Sequence, residues 1–332
     1  MSTGPVIAWA GLGAMGAPMA SGLARAGYSV AGYDVVPGRL DRLDAVTAAA
    51  SPAEAARDAA IAVVMVANAA QAEEVIFGPD GLAAGLGAGT TLVVMSTVGP
   101  DPLPGWEQRL DCAGIALVDA PVSGGVQRAA EGRLLLMAAG AGEAIGYTRP
   151  VLQTVAGLVH VVGPRAGDAQ KVKLVNQLLC GVHIAAAGEA LAFAGAIGLD
   201  PRQCWEIIRQ GAAASFMLDD RGARMVDAAF DDVRSAMDIF VKDMGLVTEA
   251  AGQAGLPVPI AATAGRLYRQ GQQDGLGRKD DSSIIEVCRN RSVSALWAIQ
   301  ALRASPVPAS RSGRSPRPSP SLSCRPSPGR SP

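Results

Sequence analysis

Short apolar runs alternate with alanine-rich amphipathic segments over about the first 164 residues. The runs are rich in β-branched residues and are bordered by glycine or proline, which favours strands over pieces of buried helix. Alternating strands and helices are typical of a parallel sheet covered by helices, so we expect an α/β domain with a doubly wound parallel sheet over residues 1–164. The predicted strands are Val6–Ala10, Ser29–Asp34, Ile61–Ala67, Thr91–Met95, Ile115–Asp119, Leu134–Ala138 and Leu158–Val162.

The pattern changes after Gly163 and Pro164, where strand signals end and apolar residues recur every three or four positions. This spacing predicts one long helix from Asp168 to Ile197, interrupted afterwards by Gly198 and Pro201. Further helices are predicted over residues 201–211, 235–254, 259–270 and 281–288. We therefore expect an all-α domain over residues 165–290, joined to the first by a long interdomain helix. A helix of this length is more than one small domain needs, so we expect a homodimer or homotetramer.

The last 30 residues, 303–332, consist largely of proline, serine and arginine and contain no acidic residue. Such a composition cannot bury a core, so this tail is predicted to be disordered. Without its six arginines, the formal net charge of −1 becomes about −7 for the remaining chain. A negative body disfavours nucleic acid as a partner.

Neither a membrane anchor nor a metal centre is predicted. Glycine, proline or a charge breaks every apolar run short of a membrane span, and Met1 to Ala10 lacks the basic start of a secretion signal, so we expect a cytoplasmic protein. Five widely spaced cysteines without a CxxC pair argue against a zinc site or disulfide framework. With only two histidines, a proton-transfer group must come from another residue type.

A glycine-rich turn directly follows the first predicted strand and opens the first predicted helix. Its residues are Gly11, Leu12, Gly13, Ala14, Met15 and Gly16, a GxGxxG pattern. In this context the first glycine permits a tight turn, the second lets the backbone approach a pyrophosphate, and the third allows the helix to pack closely on the strand. The position therefore predicts a Rossmann-type dinucleotide site.

Asp34 ends the second predicted strand, 18 residues beyond the last glycine of the turn. A carboxylate there can accept hydrogen bonds from the adenosine ribose and repel a 2′-phosphate, which favours NAD over NADP. Arg39 follows closely and complicates that choice, and a solvated turn residue is the alternative interpretation of Asp34.

Two later segments carry candidate chemistry. Ser123, Gly124 and Gly125 follow a strand end and offer a hydroxyl and backbone N–H groups to a carboxylate, although the same residues also suit a plain tight turn. Lys173 lies early in the long helix, and Asn176 and Gln177 share its face. A lysine whose pKa is lowered by burial can accept the proton of an alcohol.

Together these segments resemble the β-hydroxyacid dehydrogenase family, which includes 3-hydroxyisobutyrate, tartronate-semialdehyde and 6-phosphogluconate enzymes. The resemblance spans residues 5 to about 288. It rests on the glycine-rich turn, Met95-Ser96-Thr97, the Asp-Ala-Pro-Val-Ser-Gly-Gly run at 119–125, the Lys173 helix, and Phe240-Val241-Lys242-Asp243. Residues 176–184 and 238–243 look most like the L-threonate dehydrogenase branch.

The resemblance implies roles for individual residues. Lys173 corresponds to the family's catalytic lysine, Ser123 to Gly125 to its substrate-carboxylate site, and Thr97 to a cofactor contact. Lys242 corresponds to a residue near the cofactor, where a cation can hold the nicotinamide ribose or the substrate carboxylate; a local ion pair with Asp243 is the alternative interpretation. Asn176 or Gln177 orients the substrate. The chain departs from the common family pattern in two places, with Gln177 where asparagine is usual and Ala169 where a second glycine is usual.

We therefore expect an NAD-dependent oxidoreductase that oxidises a small hydroxy acid such as L-threonate, with Lys173 as general acid/base. A 3-hydroxyisobutyrate dehydrogenase, or a tartronate-semialdehyde or succinic-semialdehyde reductase, is the alternative enzyme. A non-catalytic NAD-binding scaffold is the alternative from another class, and Lys173 counts against it.

Overall fold

A nine-stranded sheet organises the first half of the chain in the computed structural model, which describes residues 4–43 and 45–290. The strand order is β3-β2-β1-β4-β5-β6-β8-β7, with β9 also paired to β8. Strands β1 to β6 run parallel, β8 is antiparallel to β6 and β7, and β9 is parallel to β8. The strands are β1 Ile7–Ala10, β2 Val30–Tyr33, β3 Val46–Ala48, β4 Ile61–Val64, β5 Thr91–Val94, β6 Ala116–Asp119, β7 Val122–Ser123, β8 Leu134–Gly140 and β9 Ala156–Gly163.

The doubly wound arrangement predicted from the sequence is confirmed, and all seven predicted strands are present. The sheet departs from the prediction at one side, where antiparallel pairing makes it mixed. Strands β3 and β7 were not predicted from the sequence. Both are only two or three residues long, so they carry too little alternation to be recognised.

Helices cover the sheet and then form the second half of the described chain. Seven accompany the sheet: α1 Gly16–Arg25, α2 Pro52–Ala56, α3 Ala69–Phe77, α4 Leu82–Gly85, α5 Leu103–Asp111, α6 Gly125–Ala130 and α7 Gly142–Val155. Five follow it: α8 Asp168–Ala196, α9 Pro201–Ile208, α10 Phe216–Val226, α11 Met237–Gln253 and α12 Pro259–Gly271. Residues 284–290 are also helical.

Local sequence explains where several helices begin. Ser51 caps α2 by accepting a hydrogen bond from the Glu54 backbone N–H, and Pro52 occupies the first helical position. Asn68 caps α3 in the same way. The strands beneath are buried on both faces, as in β1 and β4, because helices pack on each side of the sheet.

The helical half packs around α8, which contacts α10, α11 and α12. Its buried core includes Trp205, Phe240, Met244 and Tyr268, and the Tyr268 hydroxyl donates to the Gly181 backbone oxygen at 2.8 Å. The five helical stretches predicted after residue 164 are present, although the last begins as a 3-10 turn. Helix α10 was missed. Its buried face carries Arg221 and Arg224 between the apolar Leu218 and Met225, so the apolar periodicity of a core helix is broken.

Helix α8 is long and apolar enough to cross a membrane if length and composition alone are considered. In the fold it is the central helix of the helical core, which is a common reason for a helix to meet that test. The predicted disordered tail, residues 303–332, lies outside the described residues.

Candidate active site

The three glycines of the glycine-rich turn have different surroundings. Gly11 has φ +97°, and a Cβ there would overlap the Met65 backbone oxygen on the neighbouring strand. A Cβ on Gly16 would overlap the Gly11 backbone oxygen, so this glycine allows α1 to lie close to the strand end. Gly13 is different, since an added Cβ would have only Arg39 Nη1 nearby, at 3.5 Å. Gly13 therefore leaves its backbone open to a ligand.

Asp34 is tied to the same turn by its carboxylate. Its Oδ2 accepts hydrogen bonds from the Leu12 backbone N–H at 2.7 Å and from Arg39 Nη1 at 2.9 Å, and its Oδ1 accepts from the Val36 N–H at 2.8 Å. The Asp34 side chain is nearly buried, whereas Arg39 is 42% exposed. The Leu12 side chain belongs to the sheet core, so Leu12 contributes through its backbone.

Lys173 lies in the second turn of α8 with its side chain directed toward the sheet domain. The amine donates a hydrogen bond to the Val122 backbone oxygen at 2.8 Å, and the residue is 6% exposed. Burial lowers the pKa of Lys173, and the nearby charge of Lys242 adds to that effect, while Asp243 and Cys180 oppose it. A lysine in this setting is a competent proton acceptor.

The Ser123-Gly124-Gly125 segment follows directly after Val122, the residue that accepts the hydrogen bond from Lys173, and lines the same cavity as Lys173. Both glycines have positive φ, +137° and +76°, a conformation that side chains disfavour. Space for a Cβ is open at Gly125. Ser123 Oγ donates to Asn176 Oδ1 at 3.2 Å, so Asn176 reaches the site through the serine.

A chain of polar contacts links α8 to α11. Asn176 Nδ2 donates to Gln177 Oε1 at 2.8 Å, and Gln177 Nε2 donates to Asp243 Oδ2. Asp243 Oδ1 forms an ion pair with Lys242 Nζ at 2.9 Å, and that amine also donates to the Thr97 backbone oxygen at 2.7 Å. Lys242 therefore makes both a local ion pair with its neighbour and a contact with the sheet domain.

One cavity of about 1110 Å³ joins these groups. It is lined by most of the predicted site residues: Gly11, Gly13, Ala14, Met15, Gly16, Asp34, Thr97, Ser123, Gly124, Gly125, Lys173, Gln177 and Lys242. Leu12 and Asn176 are outside that lining and act through the contacts above. Within residues 4–43 and 45–290, no cluster of three or more histidine, cysteine or acidic side chains is arranged to hold a metal ion.

The cavity has further polar walls that the sequence analysis did not assign. Asp220 and Arg221 on α10 line it, as does Cys180, the thiol that accepts from Asn176 Nδ2 at 3.4 Å. Arg221 is held by Asp281 at 3.0 Å and by Asp220 at 2.5 Å. The local signal in the sequence was the Asp-Asp-Arg run at 219–221, which is uninformative without its distant partner.

The residues present fit a dinucleotide. Gly13 is open where a pyrophosphate would lie, and the first N–H groups of a helix have no partner within that helix. Asp34 lies in the same cavity at the end of β2, where a ribose would follow. The amine of Lys173 and the hydroxyl of Ser123 line the remainder, which leaves room for a small second ligand.

Two family models match the chain. Residues 6–163 match the NAD binding domain of 6-phosphogluconate dehydrogenase, and residues 167–288 match the model for NAD-binding of NADP-dependent 3-hydroxyisobutyrate dehydrogenase. These two matches show that the chain contains NAD(P)-binding domains.

Individual proteins are similar over nearly their whole lengths. An L-threonate dehydrogenase of Cupriavidus necator is 39% identical over 279 residues, which is 83% of this chain and 94% of the relative. An L-threonate dehydrogenase of Pectobacterium atrosepticum is 38% identical, over 85% of this chain and 93% of the relative. A crystal structure of 3-hydroxyisobutyrate dehydrogenase from Salmonella typhimurium has a TM-score of 0.82 at 36% identity and covers 86% of this chain and 100% of that one.

Fold, site and matches together define an NAD(P)-binding dehydrogenase with a Rossmann-like sheet followed by a helical region. The chain belongs to the β-hydroxyacid dehydrogenase family, as its sequence motifs predicted.

Proposed function

We propose that this protein oxidises L-threonate, or a closely similar aldonate, at a secondary alcohol, giving 2-dehydro-L-erythronate from L-threonate. The observation that carries the proposal is the buried amine of Lys173, which shares one cavity with the glycine-rich turn and with Ser123 to Gly125. L-Threonate is supported as the substrate because the two relatives described above are L-threonate dehydrogenases with 39% and 38% sequence identity to this chain.

Each of the site residues has a separate role in the proposed reaction. Ser123 and the backbone N–H groups of Gly124 and Gly125 hold the substrate carboxylate, and the Ser123 hydroxyl turns its one proton from Asn176 Oδ1 to the carboxylate when the substrate binds. Lys173, whose pKa is lowered by burial, accepts the proton of the hydroxyl group. Gln177, fixed by Asp243, presents an amide to a neighbouring hydroxyl. Bound NAD supplies the acceptor for the hydride.

We propose NAD as the cofactor in preference to NADP. The Asp34 carboxylate lies in the cavity where the adenosine ribose would bind, so a 2′-phosphate would meet a negative charge. Arg39 could compensate for that charge, but it is already paired with Asp34.

The alternative enzyme is a 3-hydroxyisobutyrate dehydrogenase or a semialdehyde reductase, and the name of the similar Salmonella protein favours it. Substrate comparison separates the two. A non-catalytic scaffold would bind NADH and turn over no hydroxy acid or aldehyde at any pH.

The test is NADH formation from L-threonate, D-erythronate, L-serine and 3-hydroxyisobutyrate. We expect the highest kcat/KM with L-threonate, and loss of turnover by a factor of about 100 to 10 000 in Lys173→Ala, as for removal of a positioned proton-transfer group. Lys171→Ala is the matched control, because Lys171 is two residues away on the same helix but exposed and paired with Asp168. Preference for 3-hydroxyisobutyrate would establish the alternative.

We also propose that two copies of the chain pair along α8. This helix carries the exposed apolar side chains of Val172, Val175 and Leu179, spaced three and four residues apart, and Phe193 further along the helix is exposed as well. Such a stripe is typical of a helix that packs against another helix. The molecular mass in solution tests this pairing, and Val175→Glu should reduce the measured mass to that of a monomer.

We expect no nucleic acid or membrane partner, and a cytoplasmic location.

A further inference from the structure

Asp119 and Gln170 form a fully buried pair at the junction of the two domains. Asp119 ends β6, and Gln170 lies in the first turn of α8, one helical turn before Lys173. Gln170 Nε2 donates to Asp119 Oδ1 at 2.8 Å. The other carboxylate oxygen, Oδ2, accepts from the backbone N–H groups of Gly167 at 2.9 Å and Gln170 at 3.0 Å. Asp119 thus fixes the start of α8 through both of its oxygens.

Gln170 extends the same contact to a third segment. Its Oε1 accepts from the backbone N–H groups of Val98 at 3.0 Å and Gly99 at 3.2 Å, and its Nε2 also donates to the Ser96 backbone oxygen at 3.1 Å. The amide is therefore satisfied on both ends, and its orientation is set by the protein. Residues 96–99 form the loop that follows β5.

Each of the three joined segments carries part of the site. The loop after β5 contains Thr97, whose backbone oxygen accepts from Lys242. The segment that continues from Asp119 contains Val122, whose backbone oxygen accepts from Lys173. Helix α8 carries Lys173 itself. A shift of the helix start relative to β6 would move the amine relative to Ser123, Gly124 and Gly125, the cradle proposed for the substrate carboxylate, because the helix is rigid over one turn.

We propose that Asp119 and Gln170 are positioning residues that set the location of the Lys173 amine relative to Ser123, Gly124 and Gly125. The inference rests on the proposed function and deepens it. Neither side chain contacts the reacting atoms: each acts through the hydrogen bonds between β6, the loop after β5, and α8.

The polarity of the pair makes this testable. In Asp119→Asn the new amide would lie against the Gln170 amide, or else lose its bonds to the helix N–H groups, since it cannot accept hydrogen bonds at both terminal atoms. In Gln170→Glu a second carboxylate oxygen would lie against Asp119. In the double variant Asp119→Asn, Gln170→Glu, the amide and the carboxylate exchange places, so the hydrogen bond between positions 119 and 170 returns with reversed direction and net charge is unchanged, while the bond to the Ser96 backbone oxygen is lost as in Gln170→Glu.

The experiment compares the two single variants with the double variant. We expect each single variant to lower kcat by about tenfold to a hundredfold, as for a catalytic group displaced by a fraction of an ångström to about 1 Å, with NADH affinity within about twofold of native. The double variant should exceed Gln170→Glu, because both lack the bond to Ser96 and only the double variant regains the bond between positions 119 and 170. Asp200→Asn, which changes the exposed carboxylate capping α9, is the matched control and should retain native kcat. Native kcat in both single variants, or a double variant no better than Gln170→Glu, would overturn the proposal.

A second measurement does not need the substrate. The rate at which acetic anhydride modifies Lys173, followed by mass spectrometry across pH, gives the apparent pKa of that amine. We expect it to change in the single variants and to return toward native in the double variant; an unchanged value throughout would contradict the positioning role even if no hydroxy acid is oxidised. If Asp119→Asn does not fold, Asp119→Glu keeps the charge and both acceptor oxygens but displaces them, and the same loss of kcat is expected.

Discussion

The Lys173 amine and the Val122 backbone oxygen are 2.8 Å apart and join the long helix to the segment that leads into the Ser-Gly-Gly cradle. A hydrogen bond to a main-chain oxygen holds the amine in place without supplying a counter-charge. The base is thus positioned beside the cradle while burial continues to favour its neutral form. Reactivity and placement of Lys173 therefore have separate structural causes.

Asp243 and Lys242 should move the pH profile in opposite directions. Asp243 raises the pKa of Lys173 and Lys242 lowers it. Alcohol oxidation needs the neutral amine, so kcat/KM should rise with pH through that pKa. We expect the rising limb at lower pH in Asp243→Asn and at higher pH in Lys242→Met. Glu249→Gln, an exposed change on the same helix, should leave the limb in place, and shifts of the same sign in both variants would contradict the account.

Alanine at two glycines of the turn should separate folding from cofactor binding. Gly11→Ala meets the Met65 backbone oxygen at positive φ and should cost at least about 1–3 kcal/mol of the free energy of unfolding. Gly13→Ala meets only the Arg39 side chain, so stability should be near native while the Kd for NADH rises by about tenfold or more, a loss of about 1.4 kcal/mol. Denaturant unfolding and NADH titration check both. Native NADH affinity in Gly13→Ala would place the pyrophosphate elsewhere.

Asp34→Asn should weaken discrimination between the two nicotinamide cofactors. The amide keeps an acceptor for the Leu12 N–H but removes the charge, and it releases Arg39 toward a 2′-phosphate. We expect the ratio of kcat/KM for NAD over NADP to fall by about tenfold or more, equivalent to one charge contact of about 1.4 kcal/mol. In the double variant Asp34→Asn, Arg39→Ala, the increase in kcat/KM with NADP should be lost. Asp58→Asn, an exposed change, is the control.

Asp119 should make the folded protein less stable as pH rises through the weakly acidic range. Burial raises the pKa of Asp119 from 3.8 to about 6, so between those values the folded protein binds more protons than the unfolded chain. The contribution of this group to stability is complete below pH 3.8 and is lost as pH rises to about 6, by about 3 kcal/mol. Urea unfolding from pH 4 to 7 should show this loss in the native chain relative to Asp119→Asn. If the free energy of unfolding changed with pH equally in the two proteins, the raised pKa of Asp119 would be disproved as the cause.

Local patterns in the sequence were enough to predict the doubly wound sheet, because each strand and helix carries its own period and its own boundaries. The glycine-rich turn and the Lys173 helix were recognisable for the same reason. Helix α10 was not, since Arg221 and Arg224 occupy its buried face and are neutralised by Asp280 and Asp281, about 60 residues further along. A buried charge looks like a surface residue until its partner is known.

Contacts between distant segments likewise escaped prediction. Gln177 was placed on the correct face of α8, but its bond to Asp243 joins residues 66 positions apart. The bond between Gln170 and Asp119 spans 51 positions. No periodicity encodes such pairs, and in one sequence Asp243 could be read only as the neighbour of Lys242. The predicted roles of the site residues remain predictions that the experiments above address.

Chemical rescue tests whether the Lys173 amine is the group that accepts the proton. Lys173→Ala removes the amine and leaves a space in the cavity that a small primary amine can enter. We expect methylamine to restore NADH formation from L-threonate in proportion to its concentration and to the fraction present as free base, with no effect on Lys171→Ala. Undiminished turnover in Lys173→Ala without added amine would contradict the account.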